Sequence, residues 1–172
     1  MYKNILVSMF LLYLHRKKIA MYQTLLFFHS TIRWFLLASL LYAIYRAYKG
    51  YTLNVEFSKT DNLVRHWTAT IAHTQLVLGI ILYTQSPIIK YFWHNFYKAI
   101  HNLDSAFFGL LHIILMLTAI ILITVGSALS KRKTTDKEKF KTMLIWFLVT
   151  LLIIFIAIPW PFSPLANRPY FR

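Results

Sequence analysis

Four apolar segments alternate with polar connections along this chain. They run from Gln23 to Arg46, Leu63 to Ser86, Ser105 to Ser130 and Thr142 to Pro159. Each has about twenty residues or more, enough for a helix to cross a hydrocarbon core of roughly 30 Å. The pattern predicts an all-α integral membrane four-helix bundle. The connection from Arg46 to Asn62 is polar, and Thr60-Asp61-Asn62 offers N-cap chemistry to the second span. After Pro87 the chain carries Tyr91, Phe92, Trp93, His94, Phe96 and Tyr97, which predicts a short interfacial segment between helices 2 and 3. The third connection, from Lys131 to Lys139, reads as a solvated basic turn. The tail from Ile158 to Pro164 contains three prolines that break the fourth helix, so it is expected to fold back across the outer end of the bundle.

The first twenty residues stand apart. Their apolar run from Ile5 to Leu14 is short, and His15-Arg16-Lys17-Lys18 follows it where a signal peptide would place small residues for cleavage. The expectation is that residues 1–20 are a dispensable extension, that Met21 is the functional start, and that 21–172 form a single transmembrane domain.

Composition strengthens the membrane reading, since 58% of the 172 residues are hydrophobic and 14% are charged. A formal net charge of +14 would ordinarily suggest nucleic acid. Here the lysines and arginines lie in short clusters between apolar runs, where they would flank lipid headgroups, so the expected partner is the bilayer and not nucleic acid. Ten of these cations fall on the side of the first and third connections, and four fall on the other side after Met21. The positive-inside rule then points both termini away from the cytoplasm, in the cytoplasmic (inner) membrane of a bacterium. Counting the extension narrows the balance to ten against eight.

The chain has no cysteine, which excludes disulfides, iron–sulfur clusters, thiolate-bound metals and covalent c-type haem. Histidine is the ligand type that remains. His29, His73 and His112 all lie inside apolar spans, and an ionisable side chain at membrane depth is costly enough to suggest function. At about 1.5 Å per residue, His29 lies roughly 6 Å and His112 roughly 9 Å below the outer edge, while His73 lies roughly 17 Å below it. A bis-histidine haem needs two imidazoles at matching depth on facing helices. The preferred iron ligands are therefore His29 and His112, with His73 as an alternative ligand. His66, at the cytoplasmic start of the second span, has no level histidine partner for a second haem.

Arg33 lies one turn after His29, and no carboxylate falls inside any span to pair with it. A haem propionate, a lipid phosphate or a quinone headgroup would fit, as would snorkelling of the side chain to the outer headgroups. Gly79 and Gly109, with Ala69 and Ala72, suit close helix packing or the approach of a flat macrocycle. A purely structural role for the histidines would use hydrogen bonds to Thr68, Thr70, Gln75 or Tyr83. The chain shows no paired carboxylates, no Ser-His-Asp arrangement and no phosphate loop.

Several stretches carry a resemblance: His29-Ser30-Thr31-Ile32-Arg33-Trp34, Asp61 to Trp67 running on to His73-Thr74-Gln75-Leu76, Leu82 to Pro87, and Ile158 to Phe162. In them the chain resembles small bacterial four-helix membrane proteins labelled cytochrome b-like, over nearly everything after Met21. The resemblance implies that His29, His73 and His112 are the family's intramembrane histidines, with Arg33 and the Asp61-Asn62 turn beside them. Typical members carry an acidic residue immediately before the third histidine; here it is Leu111, so a carboxylate bond to His112 is not carried over. The glycine-rich first helix of the protoporphyrinogen-oxidising four-helix family is not matched.

The functional expectation is a b-type haem-binding membrane protein that transfers electrons at the outer side of the membrane. It would be a carrier, or a subunit of a larger redox complex with a partner protein, rather than a stand-alone enzyme. Haem b is the expected cofactor, with His29 and His112 as ligands, Arg33 at a propionate, and His73 as alternative ligand or quinone-site residue. The alternative is a cofactor-free accessory or scaffold subunit that docks on a partner through its apolar fourth span and aromatic outer segment.

Overall fold

The computed structural model describes residues 2–171, and these are helical apart from short connections and the tail. Met1 and Arg172, which enter the expected start and the charge count, lie outside the described residues. Helix α1 runs from Tyr2 to Leu53, about 78 Å at the usual rise per residue. It passes Met21 without a break, and from Leu6 to Met21 its side chains are exposed, with packing beginning at Tyr22. Asn54 ends it at φ 50°, a left-handed conformation that asparagine tolerates after a helix.

Helix α2 spans Lys59–Gln85, α3 Pro87–His94, α4 Phe96–Ala99 and α5 Leu103–Ala106. A π-helical turn, Phe107–Leu111, leads into α6, His112–Arg132, and α7 spans Asp136–Ala157. The start of α2 differs from the sequence expectation. Ser58, not the Thr60-Asp61-Asn62 group, is the N-cap, and Asp61 is the third helical residue, closing a capping box with Ser58. Pro87 ends α2 because the residue before a proline is driven to an extended conformation, seen here as ψ 127° at Ser86. The chain then restarts as α3, bent by 59° from α2.

Three helical stretches are long and apolar enough to cross a membrane, Leu6–Leu53, Leu103–Arg132 and Asp136–Ala157, and the bent α2–α3 pair would make a fourth. This is the profile of a multi-pass membrane protein. The long helices pack α1 on α2 and α7, and α6 on α2 and α7. Leu36, Leu40, Ala43 and Ala47 put one face of α1 into the core, and Phe140, Met143, Phe147 and Ile154 do the same for α7. Small residues meet large ones across these seams: a side chain at Gly50 would strike the Phe140 ring, and one at Gly126 would strike Trp146. On the outward faces Phe35, Leu41, Ile121, Leu152 and Phe155 remain exposed, as apolar as the interior and suited to contact with lipid.

The bundle has two ends. The basic end holds the α1–α2 and α6–α7 turns, with Arg46, Lys59, Lys131 and Lys139. The histidine end holds His29, α3 to α5, His112 and the tail, which lies against α1 through Trp160, Tyr170 and Phe171 around Trp34.

Candidate functional site

Between α1, α2, α3, α6 and α7 at the histidine end lies a cavity of about 160 Å³. Its walls are mostly apolar, and among its lining residues are His29, Gln75, Gly79, Phe108 and His112. Two of the three intramembrane histidines thus meet in one space.

His112 follows directly on the π-helical turn. Its Nδ1 lies 2.8 Å from the carbonyl oxygen of Ala157, the last residue of α7. A carbonyl can only accept, so Nδ1 carries the proton and Nε2 keeps its lone pair. Half-buried and held by Ala157, this imidazole has the tautomer and fixed orientation that a metal-ligating histidine needs. Phe107 and Phe108 pack their rings beside it, at 5.7 and 6.1 Å between centroids.

His29 is held differently. The amide nitrogen of Gln75 donates to the His29 carbonyl at 3.0 Å and lies 3.2 Å from its Nε2. Because that amide group is the donor, Nε2 accepts and Nδ1 carries the proton. Nδ1 is buried with no partner, and so is the other end of Gln75, Oε1. Gln75 is only 7% exposed, so neither atom is satisfied by bulk water. An unmatched donor and an unmatched acceptor therefore belong to neighbouring side chains that line the same cavity.

The remaining expected residues fall elsewhere. His73 is not among the cavity's lining residues; its Nε2 lies 2.9 Å from the Thr124 hydroxyl of α6, which itself donates to the Ile120 carbonyl. Arg33 donates to the backbone carbonyl of Tyr170, and its guanidinium lies over the Trp34 ring. The tail supplies the acceptor that the sequence, having no carboxylate in the span, left open. Its Nε stays buried and unpartnered. Gly109 is packed against Phe92, whose ring a side chain there would strike, and its carbonyl accepts from the Tyr83 hydroxyl at 2.8 Å. It serves packing. Gly79 alone of the four glycines faces a histidine, with a built Cβ 3.4 Å from His29 Cε1.

Sequence reasoning named Gln75 only as a hydrogen-bond partner, and the structure makes it, with Ser86, a buried polar residue in the cavity wall. The available signal was an amide two residues after His73, inside a span with no charged partner. Among the described residues no group of three or more metal-ligating side chains forms. No protein-family model matches the chain, and neither a curated protein nor a solved structure matches it.

Proposed function

We propose that the protein is a b-type haem-binding membrane protein that carries electrons, alone or as the haem-bearing subunit of a larger redox complex. One observation carries the reading: His29 of α1 and His112 of α6 line the same cavity, and His112 is fixed through Nδ1 so that Nε2 remains free to ligate. The donor set fits haem b, because two neutral imidazoles and no thiolate are what a low-spin b-type iron takes. Two adjustments accompany binding. Gln75 must release Nε2 of His29, and the cavity must widen from about 160 Å³ toward the 300 Å³ or more usual for cofactor sites. The wall able to give is the one containing Ile80, which is exposed on the lipid-facing side.

Bound haem would supply reversible one-electron transfer. The chain would orient it through His112 and exclude water with Phe107, Phe108 and Ile113. His73, held on Thr124, serves α2–α6 packing in this reading rather than iron. The resemblance to cytochrome b-like membrane proteins agrees with it, and the excess of Lys and Arg at the basic end supports a bacterial inner-membrane protein with both termini away from the cytoplasm. Absorption spectra of protein purified from a haem-replete host test the proposal: a Soret band that His112→Leu abolishes and His73→Leu leaves is the expected outcome. Absence of the band from the wild-type protein rejects it.

A second reading rests on the unmatched pair. A hydroxyl group donates and accepts at once, so the headgroup of a lipid-soluble quinol would accept a hydrogen bond from His29 Nδ1–H and donate one to Gln75 Oε1. Organic extraction of the purified protein discriminates: a stoichiometric quinone lost in Gln75→Leu, with no haem, favours it, and a buried water alone leaves the extract empty.

A further inference from the structure

The geometry points to a phosphate-binding site at the basic end, distinct from the histidine cavity and independent of any haem. A groove of about 460 Å³ opens there, where the start of α2, the end of α6 and the start of α7 converge. It is lined by Phe57, Ser58, Lys59, Asn62, Leu63, Lys131 and Lys139, so three separate helix ends each contribute one lysine. Of the four carboxylates at this end two are engaged, and the other two, Glu56 and Glu138, are not among the groove's lining residues. Asp61 takes Arg46 and Ser58, and Asp136 takes Lys139 at 2.8 Å. The lining itself holds no carboxylate, and its unpaired charges are the ammonium groups of Lys59 and Lys131.

Asn62 adds a further donor. Its Oδ1 accepts from Arg65 Nη2 at 2.8 Å, which turns the NH₂ half of the amide away from that arginine. Behind it Arg65 is 5% exposed and has no carboxylate partner; it is held by Asn62 and by the carbonyl and hydroxyl of Ser127, and its Nε is unpartnered. A buried cation with only neutral partners is costly, and a divalent anion in the groove would lower that cost across one amide. Phosphate has the charge and the acceptor oxygens for this set of donors. Leu63, 53% exposed, and the Phe57 ring extend the lining with apolar surface, as an acyl chain below a phosphate headgroup would need. An anionic lipid and a soluble phosphate compound share this chemistry.

The test uses the full chain in micelles containing equal phosphatidylglycerol and phosphatidylcholine, with native mass spectrometry counting the lipids retained. The wild-type protein is expected to retain phosphatidylglycerol selectively, and Lys59→Gln with Lys131→Gln to lower that retention roughly tenfold or more. Asn62→Asp gives Arg65 a carboxylate partner while placing a negative charge in the groove. It should stay folded by circular dichroism and lose the lipid as well. In a parallel arm, thermal stabilisation by millimolar inorganic phosphate that vanishes in the same variants, without lipid selectivity, assigns the site to a soluble phosphate compound. Equal loss in the charge-matched control Lys133→Gln with Lys141→Gln, or no loss in Lys59→Gln with Lys131→Gln, overturns the proposal.

Discussion

At the basic end, Asp61 is 2% exposed and both carboxylate oxygens are occupied, Oδ1 by Arg46 and Oδ2 by the backbone and hydroxyl of Ser58. At the histidine end, Gln75 is nearly as buried, yet its Oε1 and the Nδ1 of His29 face no partner. Burial is similar and satisfaction is opposite. The carboxylate pins α1 to α2 and closes the turn between them, so its hydrogen bonds serve the fold. The Gln75 Oε1 and His29 Nδ1 atoms make no protein hydrogen bond, so neither contributes one to the fold.

The most severe way to break the comparison is Asp61→Ala. It removes the capping box and the carboxylate that Arg46, 30% exposed, holds, and unfolding in micelles should show a loss of about 2 to 4 kcal/mol. Gly109→Ala ranks next: the new methyl group meets the fully buried Phe92 ring, for an expected loss of about 1 to 3 kcal/mol in the same measurement. Gln75→Leu removes one unmatched acceptor together with the bonds to His29, so its net effect on stability should stay within about 1 kcal/mol. Its value lies in the spectrum: it frees Nε2 of His29, so a haem-bound protein should keep its Soret band. Gly79→Ala should be the mildest, because its methyl group finds ordinary contact distance to His29. It leaves the unfolding midpoint within about 0.5 kcal/mol and reports on ligand capacity alone. If Gln75→Leu destabilises as much as Asp61→Ala, the two ends do not differ in kind.

Much of this architecture was legible in the sequence, because apolar length and Lys/Arg placement act locally. The four long segments, the Pro87 break and the aromatic stretch after it follow from hydropathy and proline geometry alone. Depth, a simple product of residue count and rise, singled out His29 and His112, and the structure has both lining one cavity. Side-chain partners were harder. Asp61 read as part of an N-cap three residues late, because its role depends on Arg46, fifteen residues earlier. Arg33 found its acceptor in a backbone carbonyl of the tail, which no side-chain pattern announces. His73 found Thr124 on another helix, a choice set by how α2 faces α6.

The π-helical turn at Phe107–Leu111 has a consequence for how the chain can change in length. In an α-helix each residue advances the direction of side chains by about 100°, and a π-turn absorbs one extra residue without passing that rotation on. Phe107, buried against its neighbours, and His112, bonded to Ala157, keep their facings only because that slack exists. Deleting Leu110 would restore plain α-helix and force one of them to swing by about 100°. Either Phe107 would leave its buried position or the imidazole would turn away from the cavity and from Ala157. In an alignment of related chains, the residue count between Phe107 and His112 would be the first thing to compare: a single gap there marks a chain whose histidine faces differently relative to Phe107.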